Sequence, residues 1–194
     1  MNRITVFSDF ICPFCYVAER GPLAELRATT NIEVDWRGFE VHPEIPKGGV
    51  AAATLFGEER FADAQDYILQ LADLFGVRMS IPTHIPNSMR ALALTEWARS
   101  LGKLDALKDR LLDLYWQDGV DLEDEDVLRD AAKSVGLCPE RGMSASCASN
   151  WEMRVIQNRA FGYELGVSGV PTFLSENDRV VGCQPIEVLQ RLVR

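Results

Sequence analysis

The chain has 194 residues, 47% of them apolar, and its 29 acidic against 20 basic side chains give a formal charge of −9. That length and apolar content build a full core, in one large domain or in a domain carrying a sizeable insertion. The acidic balance, concentrated in stretches such as Asp118 to Asp130, argues against a nucleic-acid or anionic-membrane partner, and no apolar run reaches the ~20 residues of a membrane span.

The first element is Ile4-Thr5-Val6-Phe7, whose β-branched and aromatic residues predict a strand. Met1-Asn2-Arg3 leads straight into it, and Asp9 interrupts any apolar stretch before a cleavage site. No secretory signal is therefore expected, and the expected compartment is the cytosol, where a disulfide is transient and catalytic rather than structural. An amphipathic helix runs from Tyr16 to about Ala28, kinked or restarted by Gly21-Pro22.

Between strand and helix lies Cys12-Pro13-Phe14-Cys15. Proline fits the first helical position, where its missing N–H costs nothing, so Cys12 is the expected N-cap. The free N–H groups and the dipole of the first turn favour negative charge on its sulfur by ~0.3–1 kcal/mol. Stronger activation requires direct hydrogen bonds from donors such as the Phe14 and Cys15 N–H groups, since the Phe14 side chain has none to add. Two thiols so spaced close into a small ring, with Cys12 attacking and Cys15 resolving, which is thiol–disulfide exchange. A zinc site needs a second pair at comparable spacing, which Cys138, Cys147 and Cys183 do not form.

Ile32-Glu33-Val34-Asp35-Trp36-Arg37 alternates strictly and predicts a second strand with one buried face. Strand, helix and strand form a right-handed unit with Cys12 at the carboxyl end of its first strand, where open α/β sheets place their sites. Phe39 to Val50 reads as a loop. Residues 51–149 then follow a period of 3.6 with no strand signal. Phe61, Ala64, Ile68, Leu71 and Phe75 define a helix ending at Gly76. A proline-rich connection, Ile81 to Pro86, leads to an N-cap at Asn87 or Ser88. Stripes at Ala91 to Leu101, Leu104 to Leu114 and Leu128 to Val135 predict three more helices. Residues 150–194 give a helix from about Trp151 to Leu165, a short strand after Val170-Pro171, a turn at Glu176-Asn177-Asp178, the strand Arg179-Val180-Val181 and a last helix opened by Pro185. The summed order is β-α-β, an all-helical insert, then α-β-β-α.

Several residues carry weaker signals. Asp9 lies close to the thiols and suits either a proton shuttle to Cys15 or a hydrogen-bonding role in its loop. His42 and His84 have no spaced partner and receive no catalytic or metal role. Cys138 and Cys147 are spaced for a bridge, but unpaired buried thiols are the default in a reducing compartment, and Cys183 reads as packing. Trp36, Trp97, Trp116 and Trp151 read as core. Phe10, Phe14 and Tyr16 read as exposed aromatic surface beside the nucleophile, suited to an extended peptide.

The chain resembles the DsbA-like branch of thioredoxin-fold oxidoreductases over nearly its whole length, and within it the FrnE-type subgroup. The residues that carry the resemblance are Asp9 with Cys12-Pro13-Phe14-Cys15-Tyr16, Phe39 to Pro46, Asn87 to Ala91, and Gly166-Val167-Ser168-Gly169-Val170-Pro171-Thr172-Phe173 with Gly182, Gln184 and Pro185. It implies an α/β, thioredoxin-like domain, residues 1–50 and 150–194, interrupted by a helical insertion subdomain, residues 51–149. It implies Cys12 as nucleophile, Cys15 as resolving thiol and Pro171 as a cis-proline against them. Pro13, Phe14, Val170 and Pro171 then bind substrate, the Val170 backbone pairing with an extended peptide. The implied partners are protein or peptide thiols and disulfides, with glutathione as a redox partner and no dissociable cofactor. Phe14 stands where strongly oxidising periplasmic relatives have histidine. The second reading is a glutathione-dependent isomerase or transferase, of the 2-hydroxychromene-2-carboxylate isomerase or kappa-class type, whose members carry serine where Cys12 stands. A third is a peptide-binding chaperone module using the same groove.

Overall fold

A computed structural model describes residues 2–193 of the chain. Strand β1 (Asn2–Ser8) breaks at Asp9 and the chain enters α1 (Pro13–Arg20) with Cys12 as N-cap in an extended conformation and Pro13 in the first turn. Gly21 takes a backbone conformation outside the helical region, and Pro22 opens α2 (Pro22–Thr29), so the expected kink is a complete break. Strand β2 (Ile32–Gly38) runs parallel to β1, with Thr5 opposite Asp35 and Phe7 opposite Arg37. Its alternation places Trp36 in the core, while on the other face Asp35 meets Arg3 at 3.1 Å and Arg37 at 2.8 Å.

Strands β5 (Thr172–Leu174) and β6 (Arg179–Val181) complete a sheet of order β2-β1-β5-β6. Strand β5 is antiparallel to β1, with Phe7 opposite Thr172. That register has a direct consequence for the site: the loop that enters β5 lies beside the loop that leaves β1, so Pro171 and Cys12 share one end of the sheet.

The helices between β2 and β5 are α3 (Ala52–Phe56), α4 (Glu58–Leu74), α5 (Met89–Ser100), α6 (Leu104–Trp116), α7 (Glu125–Ser134), α8 (Pro139–Ser146) and α9 (Ser149–Glu164). Helix α10 (Ile186–Leu189) and a 3₁₀ turn (Gln190–Val193) close the described chain. The Asn87 side chain accepts from the Met89 N–H at 3.0 Å and caps α5, and Asp124 caps α7 through the N–H groups of Asp126 and Val127. The segment read as free of strands does contain a short antiparallel pair, β3 (Val50–Ala51) with β4 (His84–Ile85). Helices α3 and α8 were not expected either. The buried residues of α8 are Gly142, Met143, Ala145 and Ser146, mostly too small to mark an apolar stripe, and Gly142 is where the helix closes on Trp97. Helix α4 was expected to bury its stripe, yet only Ile68 and Ala72 are fully covered.

One apolar cluster runs from the sheet (Ile4, Val6, Trp36, Phe173) through α1 and α2 (Val17, Leu23, Leu26) into the helices (Leu92, Leu94, Leu107, Leu111, Val155). Sheet and helices therefore share a core. Trp36, Trp97 and Trp116 lie within it, whereas Trp151 is half-buried at its edge. Phe7, Phe39 and Val167 form a smaller cluster with Val170 and Leu174 against it. Helix α1 is tied to α6 by a buried ionic cluster: Lys108 Nζ lies 2.8 Å from Glu19 Oε2 and 2.8 Å from Asp109 Oδ1, and Arg20 Nε donates to Asp113 at 3.0 Å.

Candidate active site

The carboxyl end of β1 is polar and buried. Ser8, Asp9 and Cys15 have no exposed surface, and Cys12 retains 8%. The Cys12 thiol points across the sheet end and donates to the Val170 carbonyl at 3.5 Å. Its partner is 158 positions away in sequence. The Val170–Pro171 peptide bond is cis. Thr172 Oγ1 donates to the Gly169 carbonyl at 2.6 Å and the Gly182 N–H donates to the Pro171 carbonyl at 2.8 Å, which holds the loop in place. The structure thus brings together Cys12, Cys15, Val170 and Pro171, with Pro13 and Phe14 half-buried beside them.

Cys12 caps α1 by backbone only. Its carbonyl accepts from the Cys15 N–H at 3.1 Å and the Tyr16 N–H at 3.2 Å, and its side chain makes no cap hydrogen bond. The direct bonds from the Phe14 and Cys15 N–H groups to the sulfur, the route to stronger activation, are therefore absent in this dithiol state. Burial pushes the Cys15 thiol well above the ordinary range, and hydrogen bonding to Cys12 and the charge of Cys12 push it further. The Ser8 hydroxyl and the Asp9 backbone N–H nearby oppose this. Cys15 is sealed and held reluctant to ionise, while Cys12 keeps the exposed surface of the pair.

The aromatic surroundings differ from expectation. Phe10 packs 5.6 Å from Trp36 and Tyr16 stacks 6.0 Å from Trp116, both wholly buried. They fail as peptide-binding surface because the first turns of α1 face the helices that cover them. Phe14 alone of the three reaches the surface, its ring 6.2 Å from exposed Tyr67 on α4. His42 pairs with Glu44 at 2.7 Å and His84 lies 3.8 Å from Asp121.

The Asp9 backbone N–H lowers the Cys15 pKa; its carboxylate has a different task. Oδ2 accepts from the Val41 N–H at 2.8 Å and ties the loop after β2 to the loop after β1. Burial raises its pKa to about 6, with the nearby charge of Glu40 adding to this and the Val41 N–H and Ser88 hydroxyl opposing it. Between the ordinary carboxylate value and about 6 the folded protein holds a proton that the unfolded chain has lost. Stability from this group therefore falls as pH rises through that window, by about 3 kcal/mol once fully ionised. Asp9→Asn, neutral throughout, is expected to be more stable than the parent chain in urea unfolding at pH 8 and to lose that advantage at pH 4. A difference independent of pH would show that Asp9 does not carry the strain.

Cys138 and Cys147 are exposed free thiols at opposite ends of α8. Nine residue steps of ~1.5 Å along the helix set them ~13.5 Å apart, beyond the ~7 Å between Cα atoms that a disulfide tolerates. The expected burial of these two thiols is not found. Cys183, expected to serve packing alone, is half-buried, and its thiol is pushed up to about 12 by burial and then by the charge of Cys12; it follows Gly182, whose N–H bonds the Pro171 carbonyl at the same end of the sheet. No site role was read in the sequence for Ser8, Ser88 or Val41, and Cys183 was read as packing. Their one local signal is the pair Ser8-Asp9, polar residues at the end of an apolar strand.

A redox-active pair at the N-terminus of a helix, after the central strand of a four-stranded mixed sheet and against a cis-proline, defines the thioredoxin class. Residues 3–194 match the model of the DSBA-like thioredoxin domain, and the chain belongs to that family. The probable DsbA oxidoreductase SCO1869 of Streptomyces coelicolor superposes with a TM-score of 0.89 at 24% identity, covering 100% of this chain and 89% of that one. The cytosolic disulfide reductase DsbM of Pseudomonas aeruginosa, solved with GSH, gives 0.71 at 21% identity, covering 99% of each chain. The 2-hydroxychromene-2-carboxylate isomerase of Sphingobium xenophagum is 25% identical over 97% of this chain and 96% of its own length. Among the described residues no helix is long and apolar enough to cross a membrane.

Proposed function

We propose that the protein is a dithiol oxidoreductase of the FrnE type that exchanges disulfides with protein or peptide substrates. The observation that carries this is the Cys12 thiol, 8% exposed, held 3.5 Å from the Val170 carbonyl with Cys15 sealed behind it. An extended substrate pairs with the Val170 backbone and presents its disulfide to Cys12. The Cys12 thiolate attacks one substrate sulfur, and the other leaves as a thiolate. Cys15 then attacks the Cys12 sulfur, closes the Cys12–Cys15 bridge and releases the second substrate thiol. Removal of the Cys12 charge in the mixed disulfide removes one of the causes that keep Cys15 protonated, so resolution is favoured at the step that needs it. Phe14 and Tyr67 flank the groove with apolar surface.

The reading includes a cytosolic location and glutathione as the electron partner, supported by the likeness to a cytosolic disulfide reductase solved with GSH. Equilibration in glutathione buffers of graded poise is expected to give a single two-electron transition, confined by peptide mapping to Cys12 and Cys15. A potential near the cytosolic poise, about −220 to −320 mV, places the protein on the reducing side. No transition, or one at other cysteines, overturns the reading. The likeness to the isomerase favours one alternative, a glutathione-using isomerase or transferase. It predicts saturable glutathione binding and catalysis that survive Cys15→Ser undiminished, whereas the oxidoreductase loses most of its turnover in that variant.

A further inference from the structure

Three of the five cysteines, rather than two, converge on the carboxyl end of β1. The β5–β6 hairpin pairs Thr172 with Val181, and the next residue, Gly182, donates its N–H to the Pro171 carbonyl at 2.8 Å. Cys183 is thus one peptide unit beyond a direct hydrogen bond to the cis-proline, and the cis-proline's neighbour Val170 accepts from Cys12. The side chain of Cys183 is half-buried against the core. The charge of Cys12 reaches it and helps to hold it protonated. Residues 182–185 lie in neither strand nor helix, and Gly182 has a φ of 80°. The small approach that a bridge requires, with Cα atoms within ~7 Å, falls on this segment.

We propose that Cys183 is a second resolving thiol, able to displace whatever is bound to the Cys12 sulfur and form a Cys12–Cys183 disulfide. This rests on Cys12 being the nucleophile of the proposed function. The Cys183 thiol gives its proton to solvent and its sulfur attacks Cys12 in a mixed disulfide. The S–S bond to the substrate breaks, its electron pair leaves with the substrate sulfur, and that sulfur takes up a proton. The substrate sulfur is reduced and Cys183 oxidised in its place, so no further oxidant enters. Burial holds Cys183 protonated, and the charge of a Cys12 thiolate adds to this. Capture of Cys12 in a disulfide removes the second of these causes at the step where there is something to displace. Cys15, sealed behind Cys12, is then not the only route by which a stalled adduct is cleared.

The test uses the full chain with the two exposed thiols removed, Cys138→Ser and Cys147→Ser, and with Cys15→Ser added. A single equivalent of 5,5′-dithiobis(2-nitrobenzoate) is supplied under native conditions. The proposal expects two equivalents of thionitrobenzoate. The first reports attack by Cys12 and the second, at a rate independent of protein concentration, reports displacement by Cys183, with a linked Cys12–Cys183 peptide in the digest. One equivalent with a lasting adduct on Cys12 overturns the second resolving thiol and leaves the nucleophile intact. No release at all overturns both. The same experiment with Cys15→Ala covers intolerance of serine at a buried site, and adding Cys183→Ser is expected to make the adduct permanent.

Discussion

Cys12→Ser is expected to lower insulin-disulfide reduction by at least about 10³-fold, to the rate of the buffer alone. Only the thiolate performs exchange, and a serine hydroxyl at the same place has no base to activate it. Cys15→Ser combined with Cys183→Ser is expected to behave differently: Cys12 still attacks, so one molar equivalent of mixed disulfide accumulates with a model peptide and turnover falls to whatever free thiol sustains. Stopped-flow release of a chromogenic thiol separates the two variants. If Cys12→Ser kept a tenth of the parent rate, the chemistry would lie elsewhere. The pattern follows from burial. Cys12 keeps 8% of its surface and Cys15 none, so substrate sulfur reaches one thiol only.

Lys108→Met is expected to cost about 3–5 kcal/mol in urea unfolding. Lys108 has 0% exposure, and its ammonium is shared between Glu19 on α1 and Asp109 beside it. Burial lowers its pKa, but the charges of Glu19 and Asp109 outweigh that and raise it. Removing the cation strands a buried carboxylate, and Glu19 already has one oxygen, Oε1, without a hydrogen-bond partner. A loss of that size is a large share of the ~5–15 kcal/mol that holds a domain together. Adding Glu19→Leu to Lys108→Met is expected to restore most of the loss, because a matched apolar pair avoids the desolvation of both charges. The double-mutant cycle then shows strong coupling. Additive losses would mean that the pair acts only as packing. Because α1 carries both thiols, Lys108→Met is also expected to raise hydrogen exchange along α1 first.

The strand Ile4 to Phe7, the break at Gly21-Pro22, the alternation of β2 and the helix stops at Gly76, Gly102 and Gly136 were all legible, because a repeat of two or 3.6 residues, a missing N–H and a helix-ending glycine act on their own neighbours. Cys12 as an N-cap before proline is of the same kind. Helix α8 escaped because small residues such as Gly142 and Ala145 bury without writing an apolar stripe, and β3–β4 because two-residue strands have no period. Burial misled at Phe10 and Tyr16, whose covering helices lie about a hundred positions away.

By itself, then, the sequence determined the order of elements, the redox pair and its place at the head of a helix, all of which depend on contacts within a few residues. The tertiary structure alone decided that Val170 would meet Cys12, that the Asp9 carboxylate would pin Val41 rather than serve the thiols, that Lys108 would be sealed against Glu19, and that Cys183 would lie at the same end of the sheet as Cys12. Those pairings depend on sheet register and on which helix covers which face. They are set by the collective gain of burying one shared core, and no local window of residues contains it.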